Sequence, residues 1–194
     1  MPTPLLSLHV ELSGIEPAIW RHLVVPADLT LPQLHEALQV AMGWHDMHLH
    51  EFRLQGRDYG VPDPGGAYGA PLTDEAGVVL AEALGGATAF RYLYDLGDGW
   101  LHEITVSPYH GVPRVSSAPF CVEGANACPP EDSGGPIAYA DFVEAITDPA
   151  HPDHPAMVDW HGQDFDPQAW AITTTNRHLK KLQQAWKHQK LNRG

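Results

Sequence analysis

The chain has 194 residues, 43% hydrophobic and 18% charged, which is enough apolar material for one packed core and excludes pervasive disorder. Its 18 glycines and 18 prolines follow no collagen period, so they mark turns and exclude a fibre or a long helical bundle. A formal charge of -13 disfavours nonspecific attachment to nucleic acid or anionic membrane; only segment 177–194 is basic, carrying Arg177, Lys180, Lys181, Lys187, Lys190 and Arg193 without a carboxylate.

No apolar run approaches the roughly eighteen residues of a membrane span, and no signal peptide is indicated. Cys121 and Cys128 are too few for a disulfide scaffold. A cytoplasmic location is therefore expected.

Residues 5–12 alternate, with Leu6, Leu8, Val10 and Leu12 on one face, and predict a half-buried strand. A return strand is predicted over Ile19–Val25. Thr30 and Gln33 have the spacing of a capping box, and Leu34, Ala37, Leu38, Ala41 and Met42 form a helical stripe that Gly43 stops. A strand follows over Met47–Leu54, with His48, His50, Phe52 and Leu54 sharing a face. Gly56–Thr73 is predicted to be a loop and Val78–Leu84 a short helix. Phe90–Asp95 and Trp100–Val106 are predicted as a hairpin closed by the Asp/Gly turn Leu96–Gly99. Residues 107–135 are expected to be irregular, Ile137–Ile146 helical, and 151–155 irregular again. A final helix over Gln168–Trp186 is broken near Thr173–Asn176, where Asn176 could cap its last part. These patterns predict an α+β fold. A mixed, mainly antiparallel sheet would pack against helices, with a grasp-like N-terminal half and a basic C-terminal helix. One domain over 1–176 and a basic helical extension over 177–194 describe the organisation.

Three stretches concentrate reactive side chains. His48 and His50 in Trp44-His-Asp-Met-His-Leu-His-Glu51 are two apart, suitable for two imidazoles on one metal or for structural hydrogen bonds. In Tyr94-Asp-Leu-Gly-Asp-Gly-Trp-Leu-His-Glu103, Asp95 and Asp98 could build the turn through backbone N–H groups. With His102 they could instead hold a divalent cation. In Cys128-Pro-Pro-Glu-Asp-Ser133, Glu131 and Asp132 could approach the aromatic hairpin or merely cap a helix, and Ser133 lacks a nucleophile elbow. The metal-ligand candidates are Asp95, Asp98, His102, Cys128, Glu131 and Asp132, for zinc, magnesium or manganese. Trp44, His48, His50, Glu51, Tyr94, Trp100 and Glu103 complete the candidate surface.

Together, Ile19-Trp-Arg21, Leu34-His35, Met42-Gly-Trp44, His48-Leu-His-Glu-Phe52, Tyr92 to Glu103 and Cys128 to Pro136 resemble the plasmid open-reading-frame-three-like family. Its members are also labelled insertion-element passenger proteins and TnpR. The resemblance runs from about Leu5 to Trp170, and Ser133 stands where many relatives carry cysteine. It implies a compact α+β domain in a bacterial or archaeal cytoplasm. The resolvase chemistry that TnpR normally denotes does not transfer, because the acidic balance is wrong and no resolvase pattern is present.

The sequence reading thus favours a mobile-element-associated, non-catalytic module that binds a protein or peptide through an aromatic and acidic surface. Its alternative is a divalent-metal-dependent hydrolase acting on a phosphoester. A DNA-binding accessory protein, through the basic C-terminal helix, comes third.

Overall fold

The computed structural model describes residues 3–62, 72–111, 118–162 and 165–192. Among them, strands β1 (Leu5–Leu12), β2 (Trp20–Pro26), β3 (His50–Leu54), β4 (Arg57–Gly60), β5 (Thr73–Asp74), β6 (Ala89–Tyr94), β7 (Trp100–Pro108) and β8 (Phe120–Ala125) form one sheet. Its order is β5-β4-β3-β6-β7-β1-β2-β8, antiparallel throughout except for the parallel β4–β5 pair. The helices are α1 (Leu31–Met42), α2 (Leu80–Leu84), α3 (Gly135–Thr147), α4 (His154–His161) and α5 (Ile172–Asn192). The expected α+β class with a mainly antiparallel sheet against helices is what forms. None of these helices is long and apolar enough to cross a membrane.

Period-two alternation places one face of the sheet in the core. Leu8, Val10 and Leu12 of β1 share it with Phe52 and Leu54 of β3, Phe90, Tyr92 and Tyr94 of β6, and Trp100, His102 and Ile104 of β7. Helix α1 buries Leu34, Ala37, Leu38 and Ala41, the stripe expected from its sequence. Its capping box forms: Thr30 Oγ1 accepts from Gln33 N–H at 3.4 Å, and Gln33 Oε1 accepts from Thr30 N–H at 3.1 Å. Gly43, at φ 106, ends the helix in the left-handed conformation.

Several elements differ from expectation, each for a local reason. The predicted loop 56–73 contains β4, because Gln55 and Gly56, with φ of 51 and 72, close a tight hairpin onto β3. Its last residue, Thr73, begins β5, while residues 63–71 of that loop lie outside the described residues. The region 107–135 contains β8, an edge strand whose alternation is interrupted by a register shift opposite His22/Leu23. Helix α4 starts where 151–155 suggested irregular chain; none of its residues is buried, and Met157 and Val158 pack only partly against the core, too short a pattern to reveal it.

Finally, α5 runs unbroken through the expected interruption at 173–176. Asn176 does not cap it; its amide pairs with the backbone of Cys121, accepting from the N–H at 2.6 Å and donating to the carbonyl at 2.8 Å. That side chain continues the hydrogen bonding of β8, while Leu179 inserts fully into the core.

Candidate functional site

The site is assembled where three segments meet: the exit of α1 (residues 44–48), the β6–β7 turn (95–99) and the approach to α3 (128–134). The turn is built by Asp95, whose Oδ1 accepts from Gly97 N–H at 2.9 Å and Asp98 N–H at 3.2 Å. Asp98 Oδ2 in turn accepts from Gly134 N–H at 2.8 Å and draws the third segment in. Gly135 makes the approach possible. At φ +79, a Cβ there would lie 2.4 Å from the Asp98 carbonyl oxygen, so no larger residue fits. Trp44 fastens the same segment by donating Nε1–H to Pro129 O at 3.0 Å, and Ser133 Oγ–H donates to Pro130 O at 2.8 Å.

This packing brings His48 Nε2 to 3.0 Å from Asp132 Oδ1, 3.6 Å from Asp95 Oδ2 and 3.9 Å from Glu131 Oε2. One potential ligand atom from each of His48, Asp95 and Asp132 lies within 4.8 Å of the others, a grouping that among the described residues occurs only here. His48 Nε2 is shut off from solvent yet makes no hydrogen bond of acceptable geometry. A divalent cation would engage that nitrogen together with the carboxylates beside it. Asp95 and Asp132 both hold left-handed backbone, φ 56 and 58, which Asp adopts more readily than most side chains. One imidazole and two carboxylates are borderline-to-hard donors and suit zinc or manganese better than all-oxygen magnesium. Three protein ligands leave a coordination position open, as reactive zinc sites do and structural ones do not.

Glu131 sits beside this group. It accepts from the Tyr94 hydroxyl at 3.1 and 3.2 Å and from His45 N–H at 2.8 Å, and the same hydroxyl accepts from Met47 N–H at 2.9 Å. Burial, with Glu131 nearby, holds the Tyr94 phenol well above its ordinary value, so it remains a proton donor to that carboxylate. A cavity of about 470 Å³ between α3 and α4 shares Asp132 with the cluster.

The remaining candidates lie elsewhere. The expectation that His48 and His50 share a strand face fails, because β3 begins at His50. His50 instead stacks on His35, centroids 3.6 Å apart, and its Nε2 lies 3.1 Å from Glu75. His35 pairs with Asp46 at 2.8 Å and with the Tyr92 hydroxyl at 2.8 Å; burial, with His50 alongside, lowers its pKa. Glu51 is half-buried in β3 opposite Leu93 and Gly60, and Glu103 is exposed and ion-paired with Arg91 at 2.8 Å. Trp100 is a fully buried core residue edge-on to Tyr139. Cys121 and Cys128 are free thiols, and burial raises both pKa values, that of Cys121 to about 11.

His102 is wholly buried, with Nδ1 3.1 Å from Tyr92 O and Nε2 without a partner. Burial holds its pKa down to about 4, against 6.5 ordinarily. Between these values the unfolded chain binds a proton that the folded chain refuses, so this contribution to stability is complete above about pH 6.5 and is lost as pH falls toward 4. The loss is about 3 kcal/mol, and urea titrations between pH 7 and 4 should show a steeper decline for the wild type than for His102→Asn.

Several residues escape sequence reading. Glu75, His35 and Asp46 of the neighbouring histidine cluster carry no spacing signal, and Asp141, Glu144, Asp153 and Trp160 of the cavity are scattered over α3, α4 and the residue before α4.

The chain is 40% identical over 190 residues to the uncharacterized protein y4hQ of Sinorhizobium fredii, covering 96% of each. It also resembles the crystal structure of MM3350, a protein of unknown function from Methanosarcina mazei Go1. The TM-score is 0.74 and the identity 33%, over 89% of this chain and 98% of that one. The family profile described as plasmid pRiA4b ORF-3-like protein matches residues 4–174, which span every strand and all helices up to the first turn of α5. The chain belongs to the plasmid pRiA4b ORF-3-like family.

Proposed function

We propose that this plasmid-linked protein is a divalent-metal-dependent hydrolase with its cation held by His48, Asp95 and Asp132. The observation that carries the reading is the convergence of these three side chains around His48 Nε2, which is buried and engaged by no hydrogen bond. It favours the metal chemistry over a purely non-catalytic interaction module. Bound there, a divalent ion would activate water and offset the negative charge of a phosphoester. The chain's own contribution is positional. Tyr94 and His45 N–H hold Glu131 at the edge of the triad, where its carboxylate could take a proton from the attacking water. Exposed Met47 and Leu49 flank His48 and support a second reading, in which the same rim contacts an apolar peptide.

The test is elemental analysis of chelator-washed, zinc- or manganese-repleted protein, followed by hydrolysis of bis(p-nitrophenyl) phosphate. One equivalent of metal that is lost in His48→Ala, with metal-dependent turnover reduced about a hundredfold in Glu131→Gln, is expected. Protein that takes up no metal after repletion would sink the reading.

A further inference from the structure

We propose that the cavity between α3 and α4 binds an organic cation, an alkylammonium or guanidinium group. Its volume of about 470 Å³ is that of a small-molecule site, and its lining combines apolar and acidic side chains. Phe142, Met157 and Trp160 supply an apolar wall, with Trp160 still 47% exposed and standing edge-on to Phe142 at 5.4 Å. Asp132, Asp141, Glu144 and Asp153 supply carboxylates, and no lysine or arginine lines the cavity. Among the described residues Asp141, Glu144 and Asp153 form no ion pair. His151 turns its Nδ1 to Asp153 N–H at 3.1 Å.

Spacing separates this site from a second metal centre. Among the described residues, only His48, Asp95 and Asp132 bring three ligand atoms within chelating reach, so the cavity's other carboxylates belong to no three-ligand cation site. Carboxylates around an aromatic wall match a larger, diffuse cation that can also lie against a ring. Because Asp132 belongs to both sites, a ligand held by its cationic end would lie next to the triad. Calling that ligand a substrate rests on the hydrolase reading; the binding itself does not.

The test is calorimetric titration of the full chain, chelator-treated and zinc-repleted, with three probes. Nα-acetyl-arginine methylamide and agmatine carry the guanidinium, and Nα-acetyl-citrulline methylamide is the neutral isostere. The guanidinium probes should bind at least about tenfold more tightly than the citrulline probe. That preference should disappear in Asp141→Asn/Glu144→Gln, whose changed side chains are exposed. A stronger signal from the arginine derivative would assign the cation to a polypeptide side chain, and one from agmatine to a free amine; both support the site. Equal binding of the citrulline probe, no binding of any probe, or a zinc equivalent lost in the double variant would overturn it. Guanidinium binding that persists in chelated protein while His48→Ala keeps its zinc would discard the metal centre and leave this proposal standing.

Discussion

Asp95→Asn should lower zinc affinity by about a hundredfold or more while leaving the fold intact. The two carboxylate oxygens of Asp95 have separate tasks. Oδ1 builds the β6–β7 turn by accepting from Gly97 and Asp98 N–H, and Oδ2 faces His48. Asparagine keeps an oxygen for the turn and tolerates the φ of 56, but it turns an NH₂ toward the imidazole and removes the charge. Asp98→Asn is the matched comparison, because Asp98 Oδ2 is engaged with Gly134 N–H and Asp98 lies outside the triad. Competition with a chromogenic chelator reads both variants. Zinc affinity falling equally in the two would show that the turn, rather than ligation by Asp95, governs binding.

Arg21→Met should cost about 4 kcal/mol or more of folding stability, measured by urea denaturation. The guanidinium lies on the buried face of β2, 1% exposed, without a carboxylate among its hydrogen-bond partners. Nε–H donates to Ala41 O at 2.9 Å, Nη1 to Trp20 O and Ala125 O at 2.8 and 2.7 Å, and Nη2 to Asn126 O at 2.9 Å. It therefore ties the last turn of α1 to β2 and the end of β8, and it stacks 4.9 Å from the Trp170 ring. Gly124 leaves room for it, since a Cβ there would meet Arg21 Cδ at 2.9 Å. Methionine preserves the apolar stem but strands several buried carbonyls. Burial already lowers the guanidinium pKa, which marks how little solvent reaches it. Arg21→Lys should recover only part of the loss, because one ammonium cannot span the fork. A change below about 1 kcal/mol for Arg21→Met would contradict this account.

Sequence by itself determined the elements whose periodicity is strong. The alternation of Leu8, Val10 and Leu12, the Phe90–Tyr94 and Trp100–Val106 hairpin, and α1 with its Thr30–Gln33 box and Gly43 stop all follow from local pattern and capping chemistry. It also brought Asp95, Glu131, Asp132 and His48 forward as reactive side chains, because carboxylates and imidazoles gathered among turn-forming residues stand out. What it could not rank was which of them meet. Asp98 and His102 were equal candidates by spacing, yet the first is used on Gly134 and the second points inward among Tyr92 and Trp44.

His48 and His50 read as one strand face until the strand start at His50 separates them, sending one to the triad and the other to His35 and Glu75. Short or edge elements such as β4, β8 and α4 bury too few side chains to leave a periodic trace. The triad joins residues 48, 95 and 132, and the cavity joins α3 to α4. Those distances are decided by packing contacts such as Gly135 against Asp98 and Trp44 against Pro129. Local sequence encodes backbone preference and burial, whereas the meeting of distant side chains depends on how the finished layers pack, so the fold was largely legible and the site required the tertiary structure.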